Sequence, residues 1–332
     1  MGRAGNAVAR AAFTGASAGL LRMRELSVLI VVVALSIYFA VSNPAFASAQ
    51  NAAVIASFTA SAAIIAAGEV MLLVSGELDL SVGMTFAMTP FILLWAMDLG
   101  APFIVALFVA LAGAALVGVV NGVVTVGLGV HSFITTLGTL FLVHGVTLII
   151  SGSFPKPAPS KGFVTQVLGG WPWAQILWAI VIVIVMHAVL TGTRWGTYTI
   201  ATGGNPTGAS EAGIKIRRIK MRNFIACAVL GGFAGIVEGI HVTQSFDPNA
   251  GGNELMFTAI AAAVIGGTAL AGGSGTVIGA FLGAVVLGVL RNGFTLQGIS
   301  ANTYFVILGV AIIASMVLNT QLSRFRREAK AG

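Results

Sequence analysis

The sequence predicts an all-α, polytopic integral membrane protein with about ten transmembrane helices. Hydrophobic residues make up 57% of the chain and charged residues only 8%, whereas a soluble domain carries about 25% charged residues. The mean hydropathy is +0.99, and the apolar residues form runs long enough to cross a bilayer. The alternating pattern of a membrane β-barrel is absent, so we expect the spans to be helices, which satisfy their own backbone hydrogen bonds in hydrocarbon.

Ten apolar segments can be marked along the chain. Their predicted bounds are 26–42, 51–75, 80–97, 102–127, 131–151, 174–191, 222–240, 255–271, 274–291 and 301–319. The cuts near 76–80 and 271–274 are the least sharply marked. Because the connecting loops are short, residues 1–332 are expected to form one transmembrane domain, without a nucleotide-binding domain or a soluble receptor domain.

The positive charges predict the orientation of these spans. Three clusters, at 3–24, 194–222 and 324–330, contain 14 of the 17 lysine and arginine residues. With ten spans all three clusters fall on one side, which the positive-inside rule identifies as the cytoplasm. We therefore expect the N-terminal tail 1–25, the loop 192–221 and the C-terminal tail 320–332 to be cytoplasmic, in contact with membrane lipids and not with nucleic acid.

The first apolar segment has an alternative interpretation. Ala47, Ser48 and Ala49 follow it and resemble a signal-peptidase site. We expect the segment to be retained as the first of the spans, because its removal would leave an odd number and divide the positive clusters between the two sides.

A short polar insert interrupts the apolar pattern at 203–222. Asn205 is a preferred N-cap residue, Pro206 suits the first helical position, and Gly213 suits the position just after a helix end. The residues between them make about two turns, of which Gly208, Ala209 and Ala212 are small enough to let another surface approach closely. On the residues alone, a helix docked into a partner protein and a helix lying at the lipid headgroups remain equally open.

Five segments together resemble the permease subunits of ABC-type sugar importers, the ribose, xylose and galactose group. The matching segments are NPAF (43–46), GELDLSVG (76–83), FITTLGTLFLVHGVTLIISG (133–152), GGNPTGASEAGIKIRRIK (203–220) and ELMFTAIAAAVIGGTALAGGSGTVIGAFLGAVVLGVLRNG (254–293). The resemblance implies a homodimer of permeases in the bacterial inner membrane. It also implies an extracytoplasmic solute-binding protein and two ATP-binding subunits or one fused tandem, which would hold ATP and Mg²⁺; this chain itself is expected to bind no cofactor.

The same resemblance gives the polar insert a role. It implies that the insert is the coupling helix, which receives the motion of the ATPase. The residues concerned are Asn205, Pro206, Thr207, Gly208, Ala209, Ser210, Glu211, Ala212 and Gly213.

Several polar residues are candidates for the path and its contacts. An ionisable residue inside a span is costly and is therefore a functional candidate. Candidates for the translocation path or its gate are Glu69, Asp79, Ser81 and Thr268. For Asp79 a structural role, capping the third span, is favoured. Candidates for contact with the binding protein are Lys156, Lys161, Asp247 and Glu254.

Glycine-rich segments indicate close packing and breaks between spans. Gly275, Gly279 and Gly283 lie on one face of the ninth span, where they favour tight helix packing over a sliding contact. GELDLSVG at 76–83 weakly matches GGTALAGG at 266–273, which suggests equivalent breaks in two halves of a transporter.

No catalytic motif accompanies these features. The chain has no GxxxxGK[ST] phosphate loop, so hydrolysis of ATP is expected of a partner. A secondary transporter coupled through Glu69, Asp79 or Glu238, and a passive channel or scaffold, are rival classes that leave the capped insert without a purpose. The expected substrate is a monosaccharide, and nucleosides and branched-chain amino acids are the alternatives.

Overall fold

The computed structural model describes residues 24–300, 303, 305–310, 313, 314 and 317. The predicted tails therefore lie outside the described residues, apart from residues 24 and 25. The helices up to the centre of the chain are α1 (Arg24–Ser42), α2 (Ala49–Val74), α3 (Val82–Asp98), α4 (Phe103–Gly122), α5 (Ser132–Ser151), α6 (Phe163–Gly169) and α7 (Ala174–Gly192). The remaining helices are α8 (Arg194–Gly204), α9 (Pro206–Glu211), α10 (Ile216–Glu238), α11 (Gly252–Ile265) and α12 (Val277–Leu296).

Smaller elements complete the described part of the chain. A 3₁₀ turn at Pro44–Ala47 joins α1 to α2. α4 continues as a π-helical turn at Val123–Gly127, and α10 does so at Gly239–Thr243. Two short strands, β1 (Lys156–Pro157) and β2 (Ser245–Phe246), pair antiparallel.

The predicted helical class is confirmed. Seven helices in the described residues are long and apolar enough to cross a membrane, and each coincides with one of the predicted segments. α3 and α11 are shorter apolar helices of 17 and 14 residues. The tenth predicted segment, 301–319, lies partly outside the described residues, and those of its residues that are described are helical. The count of ten spans therefore stays a prediction.

Two predicted boundaries are wrong. The eighth segment was expected to reach residue 271, but α11 ends at Ile265 and residues 266–276 are not helical. Gly267, two residues after the last helical residue, has a φ of +91°, a left-handed conformation that ends a right-handed helix. The seventh segment was expected to begin at 222, but α10 begins at Ile216. Most of the basic cluster therefore lies on the first turns of a long helix and not in a loop.

α2 forms the centre of the bundle. Its residues 59–74 are all buried, and it packs against α7, α10, α11 and α12. A helix that is apolar all round has no face for solvent and is expected in the interior. α1 packs at the edge against α12, where Phe39 contacts Phe294 with ring centroids 5.4 Å apart.

The connecting segments gather on two sides. β1 and β2 join the loop after α5 to the loop after α10; we call this the β side. On the opposite side, the backbone N–H of Gly273 donates to the carbonyl oxygen of Val74 at 2.8 Å, which joins the segment after α11 to the end of α2. This second side also carries α8 and α9, within the predicted loop 192–221, and we call it the insert side.

Candidate functional site

Two breaks in the helical bundle meet on the insert side. The first break (75–81) separates α2 from α3, and the second break (266–276) separates α11 from α12. Their contact is the hydrogen bond from Gly273 to Val74. Val74 is the residue directly before the first break, so the two segments that resemble each other in sequence both begin on this side of the bundle.

α3 and α11 both begin inside the bundle. Val82, the first residue of α3, packs against Gly231 near the middle of α10. A side chain at Gly83 would collide with the carbonyl oxygen of Gly252, the first residue of α11. The N-termini of two helices shorter than the roughly 20 residues of a full span therefore meet at mid-depth. Discontinuous helices that meet inside a bundle are typical of the binding and gating regions of transporters.

A buried polar cluster stabilises the start of α3. The Asp79 carboxylate accepts hydrogen bonds from the Ser81 backbone N–H at 2.8 Å and from the Ser81 hydroxyl at 2.6 Å. The Asn121 amide donates to both Asp79 oxygens at 3.2 Å. All three side chains are fully buried. The carboxylate therefore binds near the helix N-terminus as expected, although Ser81 and not Asp79 holds the N-cap position.

Glu69 and Thr268 lie in the same buried region. Glu69 faces the interior of the bundle, and Cys227 Sγ donates to its Oε1 over 3.5 Å. Glu69 Oε2 and Thr268 Oγ1 have no hydrogen-bond partner among the described residues. All four candidates for a path or gate are fully buried, and none of them lines the chamber described below. Their roles stay predictions.

An ion pair joins the first break to α10. Lys220 Nζ lies 2.5 Å from Glu77 Oε1, and the two side chains are 19% and 11% exposed. The sequence did not predict this pair, because its members are 143 positions apart. The pair holds the first break against the basic end of α10.

α9 is a capped helix, as the sequence predicts. Asn205 Oδ1 accepts from the Gly208 backbone N–H at 3.0 Å. Gly213 has φ +81°, and the N–H of Ile214 donates to the carbonyl oxygen of Ala209 at 2.9 Å, which closes the end of the helix.

The contacts of α9 correct one expectation. Ala209 was expected to present a small side chain to another surface, but it is only 5% exposed and faces the rest of its own chain. Within 205–213 the exposed residues are instead Asn205, Pro206, Thr207, Ser210, Glu211, Ala212 and Gly213.

α8 fixes the insert to both breaks. Gly203, in the last turn of α8, lies so close to the Val74 carbonyl oxygen that a side chain would collide with it. The Cβ atom of such a side chain would also lie only 2.7 Å from the backbone nitrogen of Gly273. A displacement of α9 would therefore act on both breaks through backbone contacts.

A polar chamber lies between α2, the β-side end of α10, α11 and α12. Its volume is about 410 Å³, within the usual range for small-molecule sites. Its polar lining consists of Ser57, Ser61, Glu238, Glu254, Thr258 and Arg291. The chamber wall also includes Gly251, which packs against Phe86 of α3. The chamber thus borders the junction of α3 and α11.

Charged groups face one another in this chamber. Arg291 forms an ion pair with Glu254 at 2.9 Å, and its guanidinium lies 4.5 Å from the centre of the Phe58 ring. Glu238 lies close to Ser61 and Gln175 and faces the charge of Arg291. Sequence reasoning did not assemble this site, although Ser57 and Ser61 share one helix face within an apolar run.

The candidates for contact with the binding protein separate into two groups. Lys156, Lys161 and Asp247 lie on the β side, where Lys161 and Asp247 are exposed. Glu254 lies in the chamber wall and pairs with Arg291. Two of the three ninth-span glycines pack tightly as favoured: a side chain at Gly279 would collide with the carbonyl oxygen of Gly266, and one at Gly283 with the backbone of α11. Gly275 lies in the second break and not in α12.

A helical membrane protein with paired breaks, discontinuous helices and a polar chamber belongs to the class of transport proteins. Residues 51–316 match the family model described as the permease component of branched-chain amino acid transport systems. The chain belongs to this family. Family membership and the seven membrane-length helices confirm the predicted multi-pass location in the cell membrane.

Three relatives are similar over nearly the whole chain. The xylose/arabinose import permease protein XylH of Sulfolobus acidocaldarius is 37% identical over 94% of this chain and 89% of its own length. The ribose import permease protein RbsC of Escherichia coli is 32% identical over 92% and 95%. The autoinducer 2 import system permease protein LsrC of an Enterobacter species is 32% identical over 91% and 88%. The resemblance to ABC importer permeases of the ribose and xylose group is confirmed, and no solved structure matches the chain.

Proposed function

We propose that this protein is the permease subunit of an ATP-driven, binding-protein-dependent importer and forms the path for a small polar solute. Membership of a transport-permease family supports the general role. ATP and Mg²⁺ would be bound by a partner ATP-binding subunit, and a solute-binding protein would deliver the solute on the opposite face. A second copy of the permease would complete the path.

The attachment of α9 to both breaks is the observation that carries this proposal. The motion that ATP hydrolysis produces outside the membrane must be transmitted to the solute path through a rigid contact. α9 is capped at both ends, and the helix before it packs by backbone contact on Val74 and Gly273. A push on α9 would move the two breaks together, and with them the N-termini of α3 and α11 that meet at mid-depth.

A monosaccharide is the solute class that we propose. The names of two relatives, which describe xylose, arabinose and ribose import, support it. The family description names branched-chain amino acids instead, and these, with nucleosides, are the alternatives. In such systems the binding protein makes most of the selection, so the path need only admit a small polar molecule.

Substitution on the exposed face of α9 tests the proposal. Thr207→Trp adds bulk where a partner would dock and disturbs no contact within the chain, because Thr207 is exposed. In proteoliposomes containing the partner ATPase and the binding protein, we expect uptake and stimulated ATP hydrolysis to fall together.

The matched control is Thr191→Trp, on an exposed position near the end of α7 that leads to the insert side. It should leave both activities near wild type, since tryptophan is well tolerated at a membrane interface. Wild-type uptake and ATP hydrolysis in Thr207→Trp would show that α9 is not the coupling element.

A further inference from the structure

The polar chamber lies among four helices of the chain. Its lining comes from two turns of α2, from the β-side end of α10, from the start of α11 and from α12. Ser57 and Ser61 lie four residues apart and therefore on one face of α2. The residues that follow in α2 are almost all apolar and buried. The two hydroxyl groups therefore identify the part of α2 that faces a polar cavity.

The charges of the chamber favour an uncharged solute. Two carboxylates, Glu238 and Glu254, accompany one guanidinium, Arg291. The guanidinium is paired with Glu254 and lies over Phe58. The lining thus carries a formal excess of one negative charge, which disfavours an anion.

The hydrogen-bonding groups favour hydroxyl groups as partners. A carboxylate accepts about four hydrogen bonds, and each serine or threonine hydroxyl both donates and accepts. Ser61 already accepts from the Gln175 amide at 2.8 Å, which fixes the orientation of its hydroxyl group. A site with several hydrogen-bond acceptors and donors held by helices suits a solute with several hydroxyl groups. The apolar side chain of a leucine solute would leave these groups unpaired.

We propose that this chamber is the solute-binding site of the permease and that it holds one neutral, polyhydroxylated molecule. Glu238 and Glu254 accept hydrogen bonds from solute hydroxyl groups, and the Ser57 hydroxyl completes the contact from α2. The proposal rests on the proposed importer function and adds where in the chain the solute is held.

The position of the chamber connects binding to the breaks. Gly251 belongs to the chamber wall and also packs against Phe86 of α3. Release toward the insert side requires the start of α11 to move away from α3. The second break lies at the other end of α11 and contacts α8, so the solute site and α9 would act on the same helix.

Filling the chamber tests the proposal. Ser57→Leu places a bulky apolar side chain in it, and Ser42→Leu is the control. Both serine hydroxyls donate to the carbonyl oxygen four residues earlier in their helices, but Ser42 is exposed at the end of α1, away from the chamber. Uptake of D-xylose, L-arabinose, D-ribose and L-leucine is measured in proteoliposomes with the partner ATPase and the binding protein.

We expect Ser57→Leu to lower uptake of the transported pentose by at least about tenfold, a loss that corresponds to one or two hydrogen bonds to the solute. Stimulated ATP hydrolysis should persist, because α9 is unchanged. Ser42→Leu should behave as wild type. Wild-type pentose uptake in Ser57→Leu would overturn the proposal.

A second variant addresses the chemistry of the site. Glu238→Gln keeps the shape of the side chain and removes its charge, and Asp98→Asn makes the same change at an exposed position at the end of α3. We expect Glu238→Gln to slow pentose uptake and to retain ATP hydrolysis. Asp98→Asn should leave both activities near wild type. Equal behaviour of the two variants would contradict a role for the Glu238 carboxylate in binding.

Thiol labelling separates occupancy from folding. In a protein whose single cysteine, Cys227, is replaced by alanine, Ser57→Cys should react with a small thiosulfonate reagent. D-xylose or D-ribose supplied with the binding protein during turnover should slow the reaction. Protection by L-leucine, or labelling unchanged by any of these solutes, would overturn the proposal.

The two proposals fail differently. If the chain is not an importer permease, the wild-type complex will show no ATPase stimulation by the binding protein. If only the chamber is misassigned, stimulation will be intact while Ser57→Leu transports normally.

Discussion

At Glu69, a carboxyl group is enclosed in the core of a membrane protein. The side chain is fully buried, one oxygen is near Cys227, and the other has no partner among the described residues. Such groups often carry protons in ion-coupled transporters, so Glu69 is the observation that most favours the rival class. The residue lies away from the polar chamber, however, and is not among the residues that line it.

We expect Glu69→Gln to keep ATP-driven uptake, at a reduced level. ATP supplies the driving force, and the amide can replace the carboxyl group in shape. Uptake and stimulated ATP hydrolysis are measured in proteoliposomes, with the uptake repeated under an imposed pH gradient. Loss of uptake in a normally assembled complex with intact ATP hydrolysis would contradict the proposed energy source and favour proton coupling.

At the scale of elements, the proposed coupling depends on the two breaks. Apolar runs and caps revealed the positions of the helices, because those signals are local to each segment. The contact between the start of α3 and the start of α11 could not be predicted from the sequence, since it depends on how the helices pack. The same holds for the chamber, whose polar residues come from four separate elements. Its members include Glu254, which sequence reasoning assigned to contact with the binding protein.

The ion pair between Glu77 and Lys220 should stabilise the packing of the first break against α10. The side chains are mostly buried, so each single reversal, Glu77→Lys or Lys220→Glu, is expected to lower the free energy of unfolding by about 2 kcal/mol, between the values for exposed and buried pairs. The double exchange should recover more than half of this loss. Thermal unfolding in detergent measures it.

Arg218→Glu is the control for the reversal, because Arg218 is exposed on the same part of α10 and undergoes the same change in charge. It should have little effect. Additive losses in the double exchange, without recovery, would show that the pair makes no net contribution to stability.

At the scale of the whole molecule, the structure agrees with a chain that alternates across a membrane. The loops after α5 and α10 join through β1 and β2. The ends of α2 and α11 meet on the insert side together with α8 and α9. The charge pattern predicted that α8, α9 and the start of α10 lie on one side, because the basic residues between 194 and 222 form one cluster in the sequence. It is the same cluster that identifies the insert side as cytoplasmic, and this assignment stays a prediction.

Labelling from the two sides of the membrane tests the central claim, that α9 faces the cytoplasm, where an ATPase can move it. Ser160 on the β side and Ser210 on α9 are both exposed, and each is replaced by cysteine in a chain with Cys227→Ala. In intact cells an impermeant maleimide should label Ser160→Cys, and it should label Ser210→Cys only after the membrane is permeabilised. Labelling of Ser210→Cys in intact cells, with Ser160→Cys protected until permeabilisation, would place α9 outside the cell and contradict the account of an ATP-coupled importer.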